Sequence, residues 1–421
     1  MLKEVRYINW KSFGKTTLYI DPLTILIGTN ASGKSNALDG LAFLKRLAQG
    51  KDLQSALMGE STVILDSKIN AVRGGVEWAA RKPGTVFTLE TLISINENFD
   101  YEYRLEVRTE PHVELMSESL ALLEYKKRSE KRTELFGATV VQDDSPSVLV
   151  SLYNGLKGRP KKREFRRNVS ILSQLRNQEL KDEVIKGIET VISTHENVFI
   201  LDPVPALMRD YSSLSNVLAS NAHNIAGVIA AYPSLEQKEL ENLLSSYVTR
   251  LPEGDIRRVW AEPVGRFNSD AMLYCEEKWS TAVETLIMDA RGMSDGTLRF
   301  LGILTALLTR PENSLIVIEE IDNGLHPSRA QLLLNMLKEI GTDRKIDILM
   351  TTHNPALMDA LGPEMVPFVI TAHRSWETGE SKLTLLEEID NLPKLLASGP
   401  IGKIATNGKL EEVLSKRKEG N

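Results

Sequence analysis

The stretch Gly28-Thr29-Asn30-Ala31-Ser32-Gly33-Lys34-Ser35 satisfies the spacing G-x-x-x-x-G-K-[ST], and the rest of the chain is read outward from it. Its glycines let backbone N–H groups curl around phosphate oxygens. Lys34 is placed to reach the β and γ phosphates of a nucleoside triphosphate, and the Ser35 hydroxyl to ligate Mg²⁺. Spacing of this kind also arises by chance, so the flanks matter. Immediately before it, Leu23-Thr24-Ile25-Leu26-Ile27 is a short, β-branched apolar run of the kind that forms a buried parallel strand. After it, Ala37, Leu38, Leu41, Leu44 and Leu47 recur at three- and four-residue steps, predicting a helix over 34–49 that opens next to Asn36. Strand, glycine loop and helix in this order predict a P-loop that binds ATP with Mg²⁺ through residues 28–36.

A second segment supplies acids. Leu315-Ile316-Val317-Ile318 is an apolar strand ending in Glu319 and Glu320, and Asp322-Asn323-Gly324-Leu325-His326-Pro327 follows before an apolar helix. In a P-loop ATPase the first acid after such a strand supports Mg²⁺, and the next polarises the attacking water as general base. Upstream, Met293-Ser294-Asp295-Gly296-Thr297 opens the apolar helix 298–309. A serine there also reads as a plain N-cap. Downstream, Ile348-Leu349-Met350-Thr351-Thr352 is a strand leading into His353-Asn354-Pro355.

Taken together, the P-loop, the Ser294 to Thr297 turn, Glu319 with Glu320, Asp322 and His353 come in an order that resembles the ABC-type ATPases of the SMC, RecF and OLD group. The resemblance implies an α/β fold, an ABC-type P-loop ATPase head with an antiparallel β subdomain and a mainly helical insertion. It also implies head-to-tail pairing, in which Ser294, Asp295 and Gly296 contact the γ-phosphate held by a second copy and Asp322 shapes the opposite site. On the same resemblance Glu320 is the catalytic base, Glu319 with Ser35 supports the metal, and His353 is the switch residue. Two departures, Met-Ser-Asp-Gly-Thr in place of Leu-Ser-Gly-Gly-Gln and Glu319 in place of Asp, are familiar in the OLD-like branch. The glutamine that links nucleotide to insertion is unassigned among Gln54, Gln142, Gln174 and Gln178.

The organisation expected is an N-terminal ATPase lobe over 1–120, a mainly helical insertion over 121–256, and a C-terminal lobe over 257–421. Within the first lobe, 85–95 and 101–107 read as antiparallel strands. Strand-like pieces are also expected at 257–266 and 271–276, and an amphipathic helix at 235–248.

Composition narrows the partners. With 51 Lys and Arg against 57 Asp and Glu, the net charge of −6 excludes a uniformly basic nucleic-acid coat. One cluster stands apart: Lys157, Arg159, Lys161, Lys162, Arg163, Arg166 and Arg167 against Glu164. It reads either as a solvated loop or as a DNA contact whose affinity would fall steeply with salt. Cys275 is the only cysteine, the start reads as free of a secretory leader, and the apolar run near 300–309 is too short for a bilayer, so a cytoplasmic protein without membrane contact is expected.

OLD-family nucleases add a metal-binding domain with a D-x-D pair. This chain has no D-x-D, and its six histidines form no H-N-H-like cluster, so no nuclease site of its own is expected. Stand-alone ATPases of this pattern resemble the ATPase subunits of bacterial antiphage systems, which implies a homodimer or higher oligomer working with a separate HNH-type nuclease. A RecF-like repair ATPase uses the same motifs. A transporter subunit fits less well with the long insertion and the His326-Pro327 turn.

Overall fold

The computed structural model describes all residues except 62–67, 70–71, 127–128, 140–144, 156–157, 252–254, 279–284, 323–328, 391 and 416–421. The chain divides into two compact units, with breaks after Val198, Phe368, Asp390 and Leu410.

The first unit comprises Met1–Val198, Val369–Asp390 and Glu411–Asn421. Its sheet runs, in spatial order, through Lys161–Arg166, Ser147–Leu152, Ser129–Thr139, Glu114–Lys126, Phe99–Arg108, Val86–Asn96, Leu2–Trp10, Phe13–Tyr19, Ser381–Leu385, Val369–Arg374 and Leu23–Ile27. The pairing is antiparallel from the first strand to Phe13–Tyr19, parallel where Phe13 meets Ser381, antiparallel between Ser381–Leu385 and Val369–Arg374, and parallel again where Val369–Arg374 meets Leu23–Ile27. All five residues of Leu23–Ile27 are buried, as the unbroken apolar run requires. The helix Lys34–Ala48 buries Ala37, Leu38, Leu41, Leu44 and Leu47 together with Phe43. Phe43 joins Trp10 and Phe87 in an aromatic cluster, with the Trp10 and Phe87 ring centroids 4.8 Å apart edge to face.

The helical pattern expected from residue 121 is a correction. Helix begins only at Ile171–Leu175, and strand continues to Arg166. Ser147–Leu152 shows why: Val148, Val150 and Leu152 are buried while their neighbours are not, a period of two that only a sheet face satisfies. The helix Asp182–Glu196 then covers the strands Phe99–Arg108, Glu114–Lys126 and Ser129–Thr139. Gly187 permits the close approach, since a Cβ there would lie 2.7 Å from the Leu135 side chain.

The side chains of Glu118 and His195 are buried here. Glu118 is buried on its strand and accepts from Tyr103 Oη (3.0 Å), Ser170 Oγ (2.7 Å), Ile171 N (2.6 Å) and Leu172 N (2.9 Å), so it caps the helix Ile171–Leu175. Burial raises its carboxyl pKa, opposed by those hydrogen bonds. His195 is buried beside Thr91 Oγ1 (3.2 Å) and edge-on to Tyr103, and desolvation lowers its pKa to about 4.

The second unit comprises Phe199–Phe368 and Asn391–Leu410. Leu315–Ile318 pairs in parallel with Asp347–Thr352, and both strands are fully buried. The helix Asp295–Thr309 is buried along almost its whole length. A small antiparallel sheet of Ser212–Ser213, Ile256–Val264, Asp270–Glu277 and Leu286–Asp289 supplies the strands expected near 257 and 271. The helix Ser234–Val248 is pinned to it where Glu241 Oε1 accepts from Ala261 N (3.1 Å) and Ser245 Oγ from Val259 N (2.9 Å).

Because His195 titrates near 6.5 in an unfolded chain and about 4 when folded, its contribution is complete above pH 6.5 and is lost as pH falls toward 4. Urea unfolding between pH 7 and 4 is expected to show about 3 kcal/mol more acid-induced loss in the wild type than in His195→Gln. Equal losses in both proteins would contradict the assignment.

Candidate nucleotide-binding site

In the first unit the loop after Leu23–Ile27 takes a path that side chains resist. Gly28 has φ +148°, and a Cβ there would stand 2.3 Å from the Ala372 carbonyl oxygen. Gly33 has φ +114° and caps the helix, where a Cβ would meet Ser381 Oγ at 2.8 Å. Ala31 also takes a left-handed conformation, φ +63°. Lys34 Nζ donates to the carbonyls of Gly28 (2.6 Å) and Thr29 (2.9 Å), which folds the ammonium over the loop. Ser32 Oγ is buried without a hydrogen-bond partner among the described residues.

The helix start is held from behind. Asn36 Nδ2 donates to Ser12 Oγ (2.6 Å), and the carbonyls of Asn36 and Ala37 accept from Trp10 Nε1 and Tyr7 Oη, both at 2.8 Å. Beneath, Lys11 pairs with the buried Asp39, and desolvation lowers the lysine pKa against the attraction of that carboxylate. Backbone amides of a helix first turn, a left-handed loop and a lysine over it form a concave, positively polarised cradle. The cradle fits a polyphosphate: two positions where a side chain would collide are glycines, and Ser32 Oγ is an orphaned hydroxyl.

In the second unit, the strand ends bring acids together. Thr351 locks the turn after Leu315–Ile318, its Oγ1 accepting from Glu320 N (2.9 Å) and its carbonyl from Ile321 N (3.1 Å). Glu320 is thereby held at φ +48°, an uncommon conformation for a residue with a side chain. His353, two residues beyond Thr351, places Nδ1 3.9 Å from Glu320 Oε1, with both side chains half exposed. Glu319 N donates to the Leu201 carbonyl (3.4 Å), so the strand Val198–Leu201 delivers Asp202 to the same edge. Burial raises the Asp202 pKa; Arg299, 3.3 Å away, opposes this, while the charges of Glu319 and Glu320 add to it. Asp322 Oδ1 is buried with no hydrogen-bond partner among the described residues. The turn that follows, with His326, lies outside them.

Ser294 is the N-cap of Asp295–Thr309, accepting from Thr297 N (3.2 Å), and Gly296 is buried in the first turn. Sequence reading missed what holds this turn. Arg209 Nη1 donates to the carbonyls of Ala290 (3.1 Å), Arg291 (3.1 Å) and Met293 (2.7 Å), while Nη2 pairs with Asp295 at 2.5 Å. Nothing in the sequence around Arg209 marks it. Asp202 carried a weak signal, as an acid at the end of an apolar run.

The basic cluster needs one correction. Lys161–Arg166 is an exposed edge strand, but Arg167 is buried, paired with Glu114 (3.1 Å) and bonded to the carbonyls of Leu115 and Ser145, so it cannot reach a phosphate. Lys157 lies outside the described residues. Gln174 bonds both the N–H and the carbonyl of Arg166, and Gln178 accepts from Arg163 Nη1 (3.0 Å), so these two glutamines pin the basic strand. Gln54 reaches Met58 Sδ, and Gln142 is outside the described residues.

A family model described as "AAA domain, putative AbiEii toxin, Type IV TA system" matches residues 23–359. The chain belongs to this AAA-domain family. Its members' P-loop ATPase fold agrees with an SMC head bound to the C-winged helix domain of ScpA, 12% identical, covering 91% of this chain and 96% of that one with a TM-score of 0.50. An SMC head from Pyrococcus furiosus, bound to the C-terminal domain of ScpA, is 12% identical with coverage of 94% and 98% and a TM-score of 0.48. One from Thermotoga maritima is 14% identical, with coverage of 91% and 98% and a TM-score of 0.44. No curated protein matches the sequence. The AAA domain thus has the α/β architecture of an SMC-type ATPase head. Among the described residues no helix is long and apolar enough to cross a membrane, and no three His, Cys, Asp or Glu side chains are grouped to hold a metal. A P-loop magnesium needs few protein ligands, since phosphate oxygens and water complete its shell.

Gly28→Ala is expected to lose about 2 kcal/mol or more in urea unfolding, from the clash with the Ala372 carbonyl and the unfavourable φ. Gly50→Ala, where a Cβ would meet nothing within 4 Å, serves as the control for backbone conformation alone. Equal losses at the two positions would contradict the close approach.

Proposed function

We propose that this protein binds and hydrolyses ATP with Mg²⁺, pairs head to tail in the nucleotide-bound state, and by that pairing gates a separate HNH-type DNA nuclease in a bacterial antiphage system. The order of its motifs resembles that of the Septu ATPase subunit PtuA. The observation that carries the ATPase reading is the Gly28 to Ser35 cradle, with Lys34 folded over a loop that admits no Cβ at its two glycines. The family match supports the same reading.

In this mechanism the amides of residues 30–36 and Lys34 bind the β and γ phosphates, and Ser35 with Glu319 would hold Mg²⁺. The metal supplies charge neutralisation at the phosphates. Glu320 accepts a proton from the water that attacks the γ-phosphorus as the bond to the β–γ bridging oxygen breaks. His353, whose Nδ1 lies 3.9 Å from Glu320 Oε1, would serve as the switch residue that senses the γ-phosphate. Ser294, Asp295 and Gly296 serve the nucleotide of the second copy, with Asp322 shaping that site and Arg209 keeping the turn in place. Lys161, Lys162 and Arg166 on the exposed edge strand contact DNA phosphates.

A repair or recombination ATPase of RecF or SMC type is the second reading, favoured by the SMC-head fold. It requires ATP-dependent DNA binding with no nuclease partner.

Glu320→Gln is expected to lower the ATPase rate by at least 100-fold while retaining ATP and accumulating the paired form in sedimentation. Lys34→Ala should lose nucleotide. An unchanged rate in Glu320→Gln would remove it as the base, and cleavage of DNA by the purified chain alone would overturn the gating role. For DNA, replacing Lys161, Lys162 and Arg166 by Ala should flatten the dependence of log affinity on log salt by about 2 to 3 units. A wild-type slope in that variant would return the strand to the role of a solvated edge.

A further inference from the structure

The hairpin formed by Val369–Arg374 and Ser381–Leu385 flanks the phosphate cradle with both of its legs. Its first strand runs parallel to Leu23–Ile27, with Val369 opposite Ile25 and Thr371 opposite Ile27, so both travel toward the loop. Where the loop turns away at Gly28, the hairpin continues. The Ala372 carbonyl occupies the space a Gly28 side chain would need, and Arg374 Nε donates to the Ala31 carbonyl at 3.1 Å. On the return leg, Ser381 lies against Gly33, and its N–H donates to the Ser12 carbonyl at 2.9 Å. The tip, residues 375–380, therefore projects past the cradle on the side of Ala31 and Gly33.

That tip is braced. Ser375 N donates to the Glu380 carbonyl (2.7 Å), and Gly379 N to the Ser375 carbonyl (2.9 Å). Arg81 Nη2 reaches Glu380 Oε1 and the Thr378 carbonyl, each at 3.4 Å, and the missing side chain of Gly14 leaves room for the Glu380 carboxylate. On this braced tip stands Trp376, 92% exposed and the most exposed large apolar side chain of the described residues. It is two residues, at most about 7 Å of chain, from the Arg374 that grips the loop. An indole held almost wholly in water on a braced turn has its hydrophobic face without a partner inside its own fold.

Resting on the ATPase reading above, we propose that Trp376 is the platform on which the nucleobase stacks when the triphosphate occupies the cradle, with Arg374 positioning the hairpin. The flat face of an indole matches a purine ring, and stacking of this kind tolerates different bases because each offers a π-face.

The test compares Mg²⁺-ATP with inorganic tripolyphosphate, binding each by calorimetry to the full chain. Trp376→Ala is expected to weaken ATP about 5- to 100-fold while leaving tripolyphosphate unchanged, and Trp376→Phe to retain most of the ATP affinity. ATP affinity unchanged in Trp376→Ala, with Lys34→Ala having lost binding, would overturn the stacking role and leave the P-loop reading standing. Equal weakening of both ligands, or an effect confined to self-association, would overturn the stacking role as well. Failure of the wild type to bind either ligand would overturn both readings.

Discussion

A backbone carbonyl and an absent side chain set the geometry of the nucleotide-binding region. The Ala372 oxygen sits where any Cβ on Gly28 would fall, and Ser381 occupies the corresponding place at Gly33. Closeness at these two points lets the loop wrap inward rather than bulge, with Lys34 spanning back to the Gly28 and Thr29 carbonyls. The buried strand Leu23–Ile27 and the aromatic cluster of Trp10, Phe43 and Phe87 fix the elements on either side. The loop thus stands in a strained conformation that the surrounding packing enforces, which is how preorganised anion cradles are built.

The acidic edge of the second unit follows another logic. Here the strain falls on Glu320, whose left-handed backbone is fixed by hydrogen bonds to Thr351 from its own N–H and that of Ile321. Burial raises the pKa of Asp202 at the neighbouring strand end, Arg299 opposes this, and the charges of Glu319 and Glu320 add to it. Arg209 plays the matching part at the Ser294 turn, gathering three carbonyls and a carboxylate on one planar guanidinium.

Much of this was legible in the sequence because it is local. Strand, glycine loop and helix are encoded within residues 23–48, and the strand before Glu319 within four residues, so periodicity and spacing suffice. The strands from 121 to 166 were misread because Leu120, Leu122 and Leu123 satisfy a helical step as readily as an alternating one; partners elsewhere in the sheet decided between them. Arg209 and Trp376 depend on contacts or exposure created by residues far along the chain, and no spacing rule reaches them. Arg167 shows the converse: seven positive charges looked alike in sequence, and burial beside Glu114 separated one from the rest.

A structure of the protein with Mg²⁺ and a nonhydrolysable ATP analogue tests the cradle itself. Phosphate oxygens are expected within hydrogen-bond distance of the amides of residues 31–35, with Lys34 Nζ moved from the Gly28 and Thr29 carbonyls onto the β and γ phosphates. An analogue bound elsewhere, with Lys34 still on its own loop, would contradict the preformed phosphate site.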